Sequence, residues 1–406
     1  MKKFVMYGAG NIGRGFIGQL FSLSGYSVGF VDINKEVIAR LNQDKEYPVD
    51  VVSNDGIEEI AVKNAYGIDG TDIELVSDEI ASAEIMATAI GVNVLKFIAK
   101  PIALGLKKRF IKNAKPFNII ICENLIGADE FLKGLIKEQI PEYADRIDKE
   151  IGFVEASIGR MVPVMTEEKK QGNPLRVYVE PYNILPVDKA AFKGEIPTDV
   201  KNLYPYEPFN MFIQRKLFMH NMSHATCAYL GYLRNYEYIY EAVNDFDIKY
   251  VAFKALTQSA LAVAKENGVE IEPLIMHAEN LLYRFTNKAL ADTVERVGKD
   301  TIRKLSSNDR LIGALNLAEK HGVGCEFICL GVAAAMAFDP KADERSVEVC
   351  EFAKANGARA TLEKYCGYTG AKVELIETLY NMIKNGKQIS ALVKVCETAA
   401  GKEIRV

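Results

Sequence analysis

Within residues 214–233, QRKLFMHNMSHATCAYLGYL, a lysine, an amide and an imidazole stand at K-x4-N-x2-H spacing: Lys216, Asn221 and His224. On an α-helix at about 100° per residue they fall at roughly 0°, 140° and 80°, so one broad face can present all three. A lysine on such a face can act as a general base only if its ammonium is destabilised. Lowering its pKa from about 10.4 to about 7.5 requires roughly 4 kcal/mol, which burial and neighbouring cations can supply. Spacing alone leaves a plainer reading open, with Lys216 a solvated charge and His224 a satisfied core residue. It also does not separate His224 from His220, one turn after Lys216.

Such chemistry needs elements that hold a second reactant, and the N-terminus supplies them. YGAGNIGRGFIG, residues 7–18, carries five glycines in twelve residues. An apolar stretch reads as a strand before it, helical spacing comes after it, and a second strand, Ser27 to Asp32, ends on an acid. Gly8, Gly10 and Gly13 fit the G-x-G-x-x-G fingerprint of a dinucleotide loop, with Asn11 and Ile12 between them. In that fingerprint Gly8 makes the tight turn, Gly10 lets backbone approach a pyrophosphate, and Gly13 lets the helix pack on the strand. The helix N-terminus then offers free N–H groups to the phosphates. Asp32 stands where a carboxylate accepts ribose hydroxyls and repels the extra phosphate of NADP, which favours NAD(H).

Further buried strands are expected in 84–95 (ending at Gly91), 117–127 and 150–159, alternating with helices. This predicts an α/β chain: a Rossmann-like, doubly wound parallel sheet over residues 1–200. Ligands of such sheets sit at the carboxyl ends of strands, which nominates Gly91, Asn93, Asn124 and Arg160. KNLYPYEPF, from Lys201, reads as a connection, and helical periodicity dominates after it. Residues 201–406 are expected to form a mostly α-helical substrate domain, with helix stops at Gly268, Gly322, Gly357 and Gly386.

The net charge of −4 argues against a dedicated nucleic-acid binder. No apolar run approaches the ~20 residues that span a bilayer, and the start lacks a signal-peptide cleavage site, so a cytoplasmic enzyme with no membrane partner is expected. Seven scattered cysteines read as reduced buried thiols. His321, Cys325 and Cys329 would align on a continuous helix, but Gly322 and Gly324 interrupt it, and no metal is expected. Two Tyr-x3-Lys pairs, Tyr250/Lys254 and Tyr380/Lys384, read as features of amphipathic helices.

GAGNIGRGFIG, FVDIN, TAIGVNVL, CENLIG, RKLFMHNMSHATCAYLG and RVGKDTIRKLSSNDRLIG, taken in order, resemble the polyol-specific long-chain dehydrogenases, specifically the branch that interconverts mannitol 1-phosphate and fructose 6-phosphate. The resemblance spans about residues 4–380. It implies NAD(H) as cofactor, no metal, a sugar-phosphate or polyol substrate and a monomer. It implies that Lys216 is the general base, that Asn221 and Asn124 hold the reacting oxygen, and that His224 orients the substrate. By the same resemblance Arg296, Lys299 and Lys304 face the substrate; without it, this segment reads as a solvated basic face. Related enzymes for unphosphorylated hexitols usually carry His where Lys299 stands, and an extra cation suits a phosphate.

The chain departs from the family at SIGRMVP. Gly159 replaces the Asp of Asp-Arg-x-x-Pro, while Arg160 and Pro163 remain. That leaves open another sugar phosphate, a hexitol or a hexuronate of the tagaturonate or fructuronate type as substrate. A non-catalytic NAD-binding sensor is the alternative from outside enzymology.

Overall fold

The computed structural model describes residues 1–123, 125 and 127–401. The chain divides into two compact units, Met1–Phe209 and Asn210–Val406.

The first unit is built on six parallel strands: β1 (Lys3–Tyr7), β2 (Ser27–Asp32), β3 (Ala65–Asp69), β4 (Ile85–Thr88), β5 (Phe117–Ile121) and β6 (Ile151–Glu155). Their order is 3-2-1-4-5-6, the doubly wound arrangement of dinucleotide-binding sheets. Strand alternation explains why helices cover both faces. Phe4, Met6, Val28 and Phe30 enter one apolar core, whereas Val5, Tyr7, Val31 and Ile119 enter the other. The strands expected in 84–95, 117–127 and 150–159 form, but each stops early, at Thr88, Ile121 and Glu155. After β4 the chain runs through a loop into a 3₁₀ turn, Val92–Val94.

A hairpin, Glu46–Ser53 with Gly56–Lys63, pairs with Val177–Val179 beside this sheet. The stretch expected as a connection instead contributes a strand, Leu203–Tyr206, paired with Leu185–Asp188. Its tyrosines suit a pleated, half-buried surface, and this strand lies inside the first unit.

The second unit is helical. Its longest helix, Phe246–Asn267, ends at Gly268 in a left-handed cap (φ 62°), as its periodicity predicts. Gly357 interrupts the helical stretch Glu344–Thr361: at φ 82° and ψ 170° it is non-helical and separates two helices, as its sequence position predicts. The helix Glu326–Met336 is buried on every face, as an apolar sequence without a polar stripe requires. Among the described residues, no helix is long and apolar enough to cross a membrane.

Candidate active site

The glycine loop comes directly after β1. Gly8 has φ 108°, and a Cβ there would lie 2.5 Å from the Ala89 carbonyl oxygen. A Cβ on Gly13 would lie 2.0 Å from the Gly8 carbonyl oxygen, so this glycine is required by the loop's own backbone rather than by the strand. A Cβ on Gly10 would meet no described atom within 4 Å. The loop is therefore packed against the segment after β4 at Gly8, closed on itself at Gly13 and open at Gly10, which is where an anion needs access.

Residues Gly13–Gly18 form a π-helix rather than the expected α-helix, and α-helix resumes at Gln19. The wider turn is held by side chains that take its carbonyls. Tyr47 Oη donates to the Arg14 oxygen at 2.8 Å, and Arg160 Nη1 donates to the Gly15 oxygen at 3.0 Å. Arg160 also bonds the Glu180 carbonyl at 2.8 Å and the Gln19 amide oxygen, lies over the Phe16 ring, and is 4% exposed. This corrects the expectation for Arg160: it is a buried clamp on the fingerprint helix, not a cation presented to substrate. Arg14, buried with it, ties the loop to the carbonyls of Ala9 and Leu175. At Gly159, a Cβ would meet the hydroxyl end of the Tyr182 ring, with Cε1 at 3.1 Å and Oη at 3.5 Å.

Asp32, at the end of β2, accepts the Ala9 N–H at 2.8 Å and the Asn34 N–H at 2.9 Å. One carboxylate oxygen thus steadies the glycine loop and the other caps the turn after β2. Each keeps a lone pair for a ribose hydroxyl. Asn11 contacts the Pro163 carbonyl at 3.5 Å, and Ile12 packs on the adjoining core. Gly91 takes φ 87° in the loop after β4, with Asn93 exposed beside it. Sequence reasoning misses what secures this loop. Glu123 accepts the N–H groups of Ile90 at 3.0 Å and Gly91 at 2.8 Å. Asn124 lies outside the described residues.

In the second unit, Arg215–Asn221 is also π-helical, and Met222–Leu233 continues as α-helix. The helical phase inferred from the sequence therefore needs correction. Hydrogen bonds of a π-turn run from residue i to i+5, so Lys216 and Asn221, five apart, share one face as i and i+4 do on an α-helix, instead of lying about 140° apart. π-turns recur at functional sites because the inserted residue redirects the side chains around it.

Lys216 stands near enough to His220, His224 and His277 for its charge to act on all three. The charges of Lys216 and Arg284 help hold His220 and His277 well below the ordinary histidine range, although burial is the main cause for both. His220 is 2% exposed and edge-on to Phe285, a core position. His224 differs. It stacks on Phe285 with ring centroids 4.6 Å apart, and its Nε2 lies 3.2 Å from Asp292 Oδ2. Burial lowers its pKa, with Asp292 opposing. Asp292 itself is raised by burial, but its contacts with His224 and Arg296 outweigh that and leave it below the usual carboxylate range.

The basic segment is more paired than its sequence suggests. Arg296 Nε donates to Asp292 at 2.6 Å, Arg303 binds Asp300 at 2.9 Å, and Arg310 binds Asp309 at 2.7 Å. Lys299 is exposed. Lys304 is 4% exposed, its Nζ bonds the Val297 carbonyl, and its pKa is pushed down to about 7, first by burial and then by Arg310 and Arg303. An unfolded lysine titrates near 10.4. Between about pH 7 and that value the unfolded chain holds the extra proton, so this residue makes stability rise with pH, by up to roughly 1.4 kcal/mol per unit. Replacing Lys304 with methionine is expected to remove that slope from urea-unfolding free energies measured between pH 7 and 9.5. An unchanged slope would show that the ammonium remains solvated.

His321 pairs with Glu266 at 2.6 Å, and a helix break separates it from the buried thiols of Cys325 and Cys329. Among the described residues no group of His, Cys, Asp and Glu could hold a metal ion.

The mannitol dehydrogenase Rossmann domain model matches residues 2–199, and the mannitol dehydrogenase C-terminal domain model matches 209–394. A protein of Thermoanaerobacter pseudethanolicus named mannitol-1-phosphate 5-dehydrogenase is 36% identical over 390 residues, covering 96% of this chain and 98% of its own. A protein of the same name from Brevibacillus brevis is 38% identical over 370 residues, covering 89% and 93%. Among solved structures, Pseudomonas fluorescens mannitol 2-dehydrogenase, in a ternary complex with NAD and D-mannitol, superposes with a TM-score of 0.76. It is 17% identical, covering 99% of this chain and 94% of its own. A substrate-free D-sorbitol dehydrogenase gives 0.79 at 16% identity, covering 96% and 94%. At that identity the two structures speak for the fold.

Proposed function

The chain belongs to the mannitol dehydrogenase family, and from that premise we propose that it is an NAD-dependent polyol dehydrogenase interconverting D-mannitol 1-phosphate and D-fructose 6-phosphate, with Lys216 as general base. The observation that supports the chemistry most is the π-turn Arg215–Asn221, whose i to i+5 spacing puts Lys216 and Asn221 on one face. The substrate is taken from the relatives' names.

The first unit's residues fit a dinucleotide. Gly8, Gly10, Asn11, Ile12 and Gly13 form a loop open at Gly10 for the pyrophosphate, and Asp32 keeps lone pairs for the adenosine ribose. Gly91 and Asn93 lie beyond β4 at the sheet's carboxyl edge, where such cofactors continue. NAD+, when bound, supplies the hydride acceptor for alcohol oxidation.

The remaining steps belong to the protein. Lys216 Nζ takes the proton of the secondary hydroxyl and returns it in the reverse direction. The amides of Asn221 and Asn124 donate to the developing alkoxide; such donors contribute about 2.7–4 kcal/mol each. His224 orients the substrate hydroxyls. Arg296 and Lys299 bind the phosphate by charge-assisted hydrogen bonds. Lys304, buried under the same segment, supports them from within.

A second reading keeps the chemistry and changes the substrate, to another sugar phosphate, a hexitol or a hexuronate. It is favoured by one feature, the hydroxyl end of the Tyr182 ring beside Gly159, where the family carries an acid.

The test is NADH oxidation at 340 nm with fructose 6-phosphate, fructose, tagaturonate and fructuronate, repeated with NADPH. Turnover is expected with fructose 6-phosphate and NADH. Preference for a uronate or free ketose would move the specificity and leave the base in place. NADH binding without turnover of any of them would favour a sensor.

A further inference from the structure

The carboxylate of Asp292 meets two of the proposed substrate-facing groups at once. Oδ1 accepts Arg296 Nε at 2.6 Å, and Oδ2 lies 3.2 Å from His224 Nε2. Its side chain is 11% exposed, and its backbone is fixed: the Asp292 carbonyl accepts the Ile239 N–H at 2.9 Å, and Thr293 bridges Tyr238. Thr293 caps the helix Val294–Gly298 that carries Arg296. The His224 ring is held from the other side by Phe285. A carboxylate has no proton to give, so the imidazole nitrogen facing it must carry one. In a neutral imidazole the other nitrogen is then an acceptor.

We propose that Asp292 is a positioning residue that fixes His224 as the Nε2–H tautomer, leaving Nδ1 as the acceptor for a substrate hydroxyl, while the same carboxylate sets the direction of the Arg296 guanidinium. His224 Nε2 is buried and its N–H is not aligned for a full hydrogen bond, as is common before substrate tightens a site. Asp292 thereby couples the group that reads the sugar hydroxyls to the group that reads the phosphate. Its part in turnover rests on the proposed reaction; its effect on the tautomer does not.

The chain has four histidines, few enough for 15N-histidine spectra of the full-length protein, with His224→Gln assigning the resonance. The wild type is expected to show His224 neutral, with Nε2 protonated and Nδ1 bare. Asp292→Asn, whose amide can present either a donor or an acceptor, is expected to give mixed tautomers, and Asp292→Glu to restore the single one. In kinetics Asp292→Asn should lower kcat/KM for fructose 6-phosphate at least tenfold with the NADH Kd unchanged, and Asp292→Glu should recover part of that loss. An Nδ1–H tautomer in the wild type overturns the inference without any variant having to fold. So does an Asp292→Asn protein with wild-type tautomer and wild-type kcat/KM. If the wild type fails to turn over fructose 6-phosphate, the proposed reaction fails while the spectra still decide the tautomer.

Discussion

Lys216→Met is expected to lower kcat for fructose 6-phosphate reduction by about two to four orders of magnitude, the range that a positioned proton donor or acceptor commands. Methionine keeps an unbranched apolar stem of similar reach, so the π-turn that carries the residue should survive. NADH affinity, measured by fluorescence titration, should stay at the wild-type value, because the glycine loop and Asp32 lie in the first unit. Lys216 is also one of the charges that hold His220, His224 and His277 below their ordinary range. Their pKa values are therefore expected to move upward in the variant, which the histidine spectra would register. Unchanged turnover would remove Lys216 from the role of base. Loss of both turnover and NADH binding would point to a fault in folding rather than in proton transfer.

Lys372→Met should be the most destabilising of the charge removals. Glu326 is 0% exposed and accepts Lys372 Nζ at 3.0 Å and Gln258 Nε2 at 2.9 Å. Removing the lysine leaves a buried carboxylate without its cation, which costs about 3–5 kcal/mol. The pair itself contributes far less than that, because both charges were stripped of water to form it. Adding Glu326→Gln to Lys372→Met is therefore expected to recover most of the loss, since an amide can still meet Gln258. Urea unfolding monitored on the second unit would measure both. A single variant within about 1 kcal/mol of wild type would put this pair in the range of surface ion pairs.

The first unit is largely legible in the sequence because its signals are local. A glycine fingerprint, an acid at the end of a strand and runs of Val, Ile and Phe each act within a few residues, and the sheet order is built from them. Gly13 is legible as a required glycine, though its reason is the Gly8 carbonyl rather than the strand. The misreadings arise where distant side chains decide. Tyr47 and Arg160 take carbonyls from the fingerprint helix, and no helical periodicity reports a π-turn made that way. Arg160 looks available in the sequence because an arginine after a strand carries no mark of what it will bond. Asp292 escapes a sequence reading although it stands four residues before Arg296, a spacing that pairs charges on a helix. Here the pairing begins outside the short helix, and its second partner, His224, is far away in sequence. Lys304 can be read as a cation but not as a buried one.

The π-turn at Arg215–Asn221 has one further consequence, for insertions and deletions. A π-turn arises when a helix holds one residue more than α-helical winding can accommodate. Lys216 and Asn221 are thus brought onto one face by a count of residues as much as by their identities. Most substitutions at the intervening Leu217, Phe218 and Met219 would change packing and leave that count alone. Deleting one of them would let the segment rewind as α-helix, with every remaining side chain a legitimate helix former and Lys216 and the asparagine now four apart. Four α-helical steps turn the chain about 400°, close to what five residues complete in the π-turn, so the flanking helices would keep their phase and the lysine and the asparagine would still share a face. In this stretch length and winding are set together: rewinding as α-helix at full length would rotate one flank about 100° against the other, and rewinding with one residue fewer would not.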